Sequence, residues 1–123
     1  MSFLFTPAKL LPGGLSTEPV IIARLGFAAA IIEWRGPAPF LFAPIPGHLT
    51  AEIRFAAHEA SYGWGVVPVA AQIGATRFST SLFPRGDGYL LPIKVAVQRA
   101  EQLGLGDDVE AIIDIVARAT QSR

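Results

Sequence analysis

The sequence predicts a mainly β protein with two short helices, folded as a small closed or double-split β-barrel that the helices cap. Three observations support this. Apolar residues alternate with a period of two in several short segments, two other segments switch to helical spacing, and there is no strict βαβ alternation. The 123 residues are 51% apolar and 16% charged, a length and composition that suit one folded domain rather than a disordered chain. Residues 1–19 read as an irregular lead-in, broken by Pro7, Pro12-Gly13-Gly14 and Pro19, and residues 20–123 as a single barrel domain.

The first regular element spans Val20 to Trp34. Leu25, Phe27, Ala29 and Ile31 alternate there with Arg24, Gly26, Ala28, Ala30 and Ile32, which predicts a strand covered on both faces. Gly36-Pro37-Ala38-Pro39 makes a turn. Phe40 to Ala43 follows as a short or edge strand, hemmed by prolines on both sides. From Leu49 the period changes: Leu49, Ile53, Ala56 or Ala57, and Ala60 fall on one helical face. Thr50 is the expected N-cap, and Gly63 and Gly65 the expected stop. Val66 to Ile73 returns to strand character, and Gly74-Ala75 turns it into a strand over Thr76 to Phe83. Pro84 to Gly88 reads as a turn and Tyr89 to Leu91 as a brief strand. Pro92 opens a second helix, with Ile93, Val97 and Ala100 on one face and Lys94, Gln98 and Glu101 on the other. Gly104 is its expected C-cap, Gly106-Asp107-Asp108 a turn, and Val109 to Ala117 the last strand. Trp34, Trp64, Phe40, Phe42, Phe55 and Phe78 are the expected aromatic core.

Four stretches taken in order carry a family resemblance. They are Gly-Trp-Gly-Val-Val-Pro-Val at 63–69, Arg-Phe-Ser-Thr-Ser-Leu-Phe-Pro at 77–84, Gly-Tyr-Leu-Leu-Pro-Ile-Lys at 88–94 and Gly-Leu-Gly-Asp-Asp-Val at 104–109. Over about Leu25 to Val116 the chain resembles the bacterial family called domain of unknown function 1905. The resemblance implies a closed or half-open barrel capped by helices, and it implies no activity. Family members often carry a basic pair after the position of Val97, where this chain has Gln98-Arg99. Residues 88–110 also resemble, more weakly, the AbrB class of transcription regulators and antitoxins. That likeness implies a swapped-hairpin barrel geometry and intertwined dimers, and it does not bring DNA binding with it.

Charge and hydropathy narrow the function classes. The longest uncharged run, 17 residues from Ala60 to Thr76, is interrupted by Gly63, Gly65, Pro68 and Gly74, whereas a spanning helix needs about 20 apolar residues. Pro7 and the lack of a basic start make the N-terminus a poor signal peptide. The chain contains no cysteine, which excludes disulfides and thiolate metal sites and makes the cytoplasm the default compartment. Ten basic and ten acidic residues cancel, and the basic ones are dispersed, which argues against nucleic acid as a partner. So few charges cannot cover the surface of a small domain, and the apolar patches left over predict a homodimer or higher oligomer.

No catalytic constellation, metal site or cofactor motif emerges. His48 and His58 lack the spacing of a same-face pair and read as surface residues. Asp107-Asp108 resembles a paired-carboxylate site, but the adjacent glycines explain it as turn chemistry. Arg77, Ser79 and Ser81 share one face of a strand, so Arg77 could clamp an anion that the hydroxyls orient. Lys94 at a helix start and Arg99 are the further candidate ligand contacts. The expectation is a non-enzymatic binding or interaction module for a small anionic ligand or a protein partner. The alternatives are an AbrB-like nucleic-acid binder and, third, an enzyme without a recognisable motif.

Overall fold

The structure, a computed structural model, describes residues 20–34, 40–60 and 65–117. The lead-in, the turn at 36–39 and the helix stop assigned to Gly63 lie outside the described residues. Among the described residues there are seven strands: β1 (Ile21–Ala30), β2 (Ile32–Trp34), β3 (Phe40–Pro44), β4 (Val67–Ile73), β5 (Thr76–Arg85), β6 (Gly88–Ile93) and β7 (Asp108–Val116). Helix α1 (Thr50–Glu59) follows a 3₁₀ turn at Gly47–Leu49, and α2 (Val95–Glu101) lies between β6 and β7. The mainly β reading with two short helices holds.

The strands pair antiparallel in one sheet of order β1-β7-β4-β5-β6-β3-β2. Its outermost strands, β1 and β2, are joined by a single residue, Ile31. One residue spans less than about 4 Å, so the sheet must curl until its first and last strands meet. The result is a curled half-barrel. The single strand expected over Val20 to Trp34 is therefore two strands. Ile31 is 1% exposed, its N–H donates to the Asp107 carbonyl at 2.8 Å, and its carbonyl accepts from Gly106 N–H at 2.9 Å. The loop before β7 takes the place of a sheet partner at this break.

Helix α1 sits on the inner face, against β1 and β7. Ile53, Ala56, Ala57 and Ala60 are buried with Leu49, as the helical spacing predicts. The expected Thr50 cap is corrected: Leu49 is the N-cap, without a side-chain hydrogen bond, and the Thr50 N–H donates to the Gly47 carbonyl. The 3₁₀ turn supplies the acceptor that a capping side chain would otherwise provide. Phe55, expected in the core, is 66% exposed; two residues past Ile53 it lies about 200° around the helix. Phe40 is exposed as well, at the start of β3. Phe42 is buried but stands apart from the main cluster, facing Phe83 with ring centroids 6.3 Å apart. Phe78 packs against the core. The side chains of Trp34 and Trp64 lie outside the described residues.

Two prolines read as breakers are instead inside strands. Pro92 pairs with Phe42 in β6, and Pro84 pairs with Tyr89 in β5. Pro44 and Pro68 are strand residues too. The registers supply the reason. At Pro68 β4 has only β5 beside it, at Pro84 β5 has only β6, and at Pro44 and Pro92 the neighbouring ladders on one side have ended. A strand with one partner tolerates a missing N–H. Consequently α2 begins at Val95 with Lys94 as its N-cap, and Gln102 (φ 56°), not Gly104, takes the left-handed C-cap position. Gly104 donates to Asp107 Oδ2 at 2.8 Å, consistent with a turn role for Asp107. Among the described residues no helix is long and apolar enough to cross a membrane.

Candidate functional site

Curling leaves the face of β1-β7-β4-β5 opposite α1 open, and the registers align its residues in rows across the four strands. One row runs Arg24, Asp114, Ala70, Ser79, and the next runs Gly26, Ile112, Gln72, Arg77. All of these but Gly26, with Ala71 and Phe78, line a groove of about 560 Å³. A second groove of about 660 Å³ continues from it through Gln72 and Ile112 towards Ala28 and Glu110.

The charged centre is an arginine fork. Arg24 Nε donates to Asp114 Oδ1 at 2.7 Å, and Nη2 donates to Oδ2 at 2.9 Å. Asp114 is only 7% exposed, the one buried charged residue among those described, while the Arg24 side chain is 59% exposed. Burying a carboxylate is costly unless it is paired, and the fork supplies that pairing with matched geometry. It uses two of the five guanidinium N–H donors and leaves the others for solvent or a ligand. Arg77 adds a second cation that acts on the same carboxylate. Two guanidinium groups around one carboxylate give the groove a net charge of +1.

The Arg24 hydrogen bonds hold the Asp114 carboxyl below the ordinary carboxylate range; burial opposes this, and the charges of Arg24 and Arg77 add to the lowering. With the folded value below the unfolded one, the pair's stabilisation is complete above the unfolded value of about 3.9 and fades as pH falls through the folded value. Urea midpoints should therefore decline as pH drops below about 4, and Asp114→Asn should flatten that limb. An acid limb unchanged by the substitution would show that other carboxylates control it.

Of the residues read from sequence as ligand contacts, the groove brings together Arg77 and Ser79. Ser81 shares their strand face but sits opposite Pro68, beyond the groove lining. Lys94 is exposed as the N-cap of α2 and Arg99 in its last turn, and neither lines the groove. Glu101, on the same expected helix face as Lys94, is engaged by the β4–β5 turn: its Oε2 accepts from Thr76 Oγ1 at 2.6 Å and from Ala75 N–H at 3.2 Å. His48 and His58 are exposed.

Sequence reasoning missed Arg24, Gln72 and Asp114. Arg24 and Asp114 are 90 residues apart, so no local motif joins them. The available signal was chemical. Asp114 interrupts the run Ile112-Ile113-Asp114-Ile115-Val116, and a carboxylate in so apolar a strand needs a cation partner.

No curated protein matches the chain. The family described as Domain of unknown function (DUF1905) matches residues 27–113, a span that runs from within β1 to within β7 and takes in both helices and most of the groove lining. Matched over more than half its length by that family, the chain belongs to DUF1905.

Proposed function

We propose that the protein is a non-enzymatic binding module whose site is the open-face groove, taking an anionic group of the carboxylate or phosphate class. The observation that carries this reading is the convergence of Arg24 and Arg77 on one small-floored groove whose only carboxylate is already engaged. Ser79 adds a hydroxyl donor beside Arg77. The Gln72 amide nitrogen donates to the Gly74 carbonyl at 3.0 Å, which fixes that side chain and leaves its oxygen as an acceptor.

The same geometry supports binding over catalysis. Neither histidine lines the groove, and both Asp114 oxygens accept from Arg24, so Ser79 is offered no evident base. A local charge of +1 is also small beside the phosphate contacts that drive nucleic-acid binding.

Thermal-shift titration with inorganic phosphate and with succinate provides the test. Either anion should raise the melting temperature, and Arg77→Ala, an exposed and structurally tolerant change, should weaken binding about tenfold, the loss of one charge-assisted hydrogen-bonding group. Equal responses from wild type and Arg77→Ala would remove the groove as the site.

A further inference from the structure

Continuing along the strands from the arginine row, the open face changes character. Two residues beyond Ile112 on β7 stands Glu110, opposite Ala28 of β1 and exposed, with no hydrogen-bond or ion-pair partner among the described residues. Between the cationic row and this acid lies Ile112, 44% exposed, on a floor of Gly26, Ala28 and Ala70. A solvated sheet face ordinarily carries polar side chains at such positions. The small residues and bare isoleucine at the middle of this face leave it open to close approach by another surface.

Resting on the reading of the groove as an anion site, we infer that the anion it takes is the Glu110 carboxylate of a second copy of this chain, in a two-fold, face-to-face dimer. The row spacing makes the surface self-complementary. Arg24 and Asp114 lie one row to one side of Ile112 and Glu110 one row to the other, each about 7 Å away along the strand. A two-fold axis along the middle row sets Ile112 against Ile112 of the second copy. The same operation sets Glu110 over the position of Asp114, beside the exposed guanidinium of Arg24. By symmetry each contact occurs twice, as an isologous interface requires.

Area is adequate. Four strands at about 4.8 Å spacing and up to about 30 Å length present roughly 600 Å². Two such faces bury about 1,200 Å², the lower bound for specific, stable interfaces.

Sedimentation of the full chain, with circular dichroism to verify folding, tests the inference. Wild type should be dimeric at tens of micromolar. Glu110→Arg, which then meets Arg24 of the second copy, and Ile112→Glu, which then meets its own copy, should each raise the dissociation constant at least about tenfold, because like charges then face each other. A monomeric wild type, or a dimer indifferent to Glu110→Arg, overturns the second-copy inference. Inorganic phosphate titrated into Glu110→Gln separates this from the underlying reading. Phosphate that stabilises a monomeric protein through Arg77 keeps the groove and rejects the dimer. A dimer broken by Glu110→Arg that ignores phosphate keeps the interface and rejects the small-anion site.

Discussion

Ile31→Pro is expected to remove about 2–4 kcal/mol of folding stability, seen as a large fall in the urea midpoint at unchanged slope. The physical case begins with topology. The strand order places β1 and β2 at the two ends of the sheet, and Ile31 is all that separates them in sequence. Proline deletes the N–H that donates to the Asp107 carbonyl at 2.8 Å. Asp107 is exposed, so the loss is that of one backbone hydrogen bond, about 0.5–1.5 kcal/mol. Proline also replaces a side chain that is 1% exposed with a smaller one, which leaves a void of the kind that costs a further 1–3 kcal/mol. Ile31→Val keeps both backbone hydrogen bonds and should cost only about 0.5–1.5 kcal/mol. If proline proved as mild as valine, the backbone clamp between Ile31 and the 106–107 loop would not be what holds the sheet closed.

That junction also marks where a linear reading of the chain stops working. Leu25, Phe27 and Ile31 alternate without interruption and all three are buried, so periodicity alone cannot distinguish one strand from two that lie on opposite edges of a curled sheet. The break is enforced by the 106–107 backbone, some 75 residues later in the chain. The prolines posed the converse problem. Pro84 and Pro92 look like breakers in isolation, yet each occupies a stretch where its strand has one hydrogen-bonded neighbour. Whether a proline is tolerated depends on the register of the adjacent strand, which no local window contains. What was legible had a local cause: the α1 stripe from Leu49 to Ala60, the Gly74-Ala75 turn between β4 and β5, and the Gly106 turn before β7.

The groove divides in the same way. Arg77 and Ser79 were accessible because they are neighbours on one strand, and a period of two places them on one face. Lys94, the N-cap of α2, and Arg99 within it do not line the groove. Arg24 and Asp114 meet only because β1 pairs with β7. The Arg24–Asp114 fork that Arg77 joins therefore depends on the order of strands in the sheet.

Strand β7 allows the two faces of the sheet to be separated by experiment. Ile113 is fully buried and Ile112 is 44% exposed, although they are adjacent in sequence. Between Ala111 and Asp114 the strand is paired on both sides, to β1 and to β4, so neither side chain can escape by local fraying. Ile113→Ala removes three carbons from the centre of the core and should cost about 3–5 kcal/mol, within the range for buried isoleucine truncation. That is a large share of the 5–15 kcal/mol available to an ordinary domain. Ile112→Ala should alter the stability of the isolated chain by less than about 0.5 kcal/mol, while weakening self-association if this face is the interface. Denaturation at submicromolar concentration isolates the first effect, and sedimentation at tens of micromolar isolates the second. Equal losses from the two substitutions in the dilute chain would mean that the open face is covered within the monomer, and both the groove and the docking surface would then have to be abandoned.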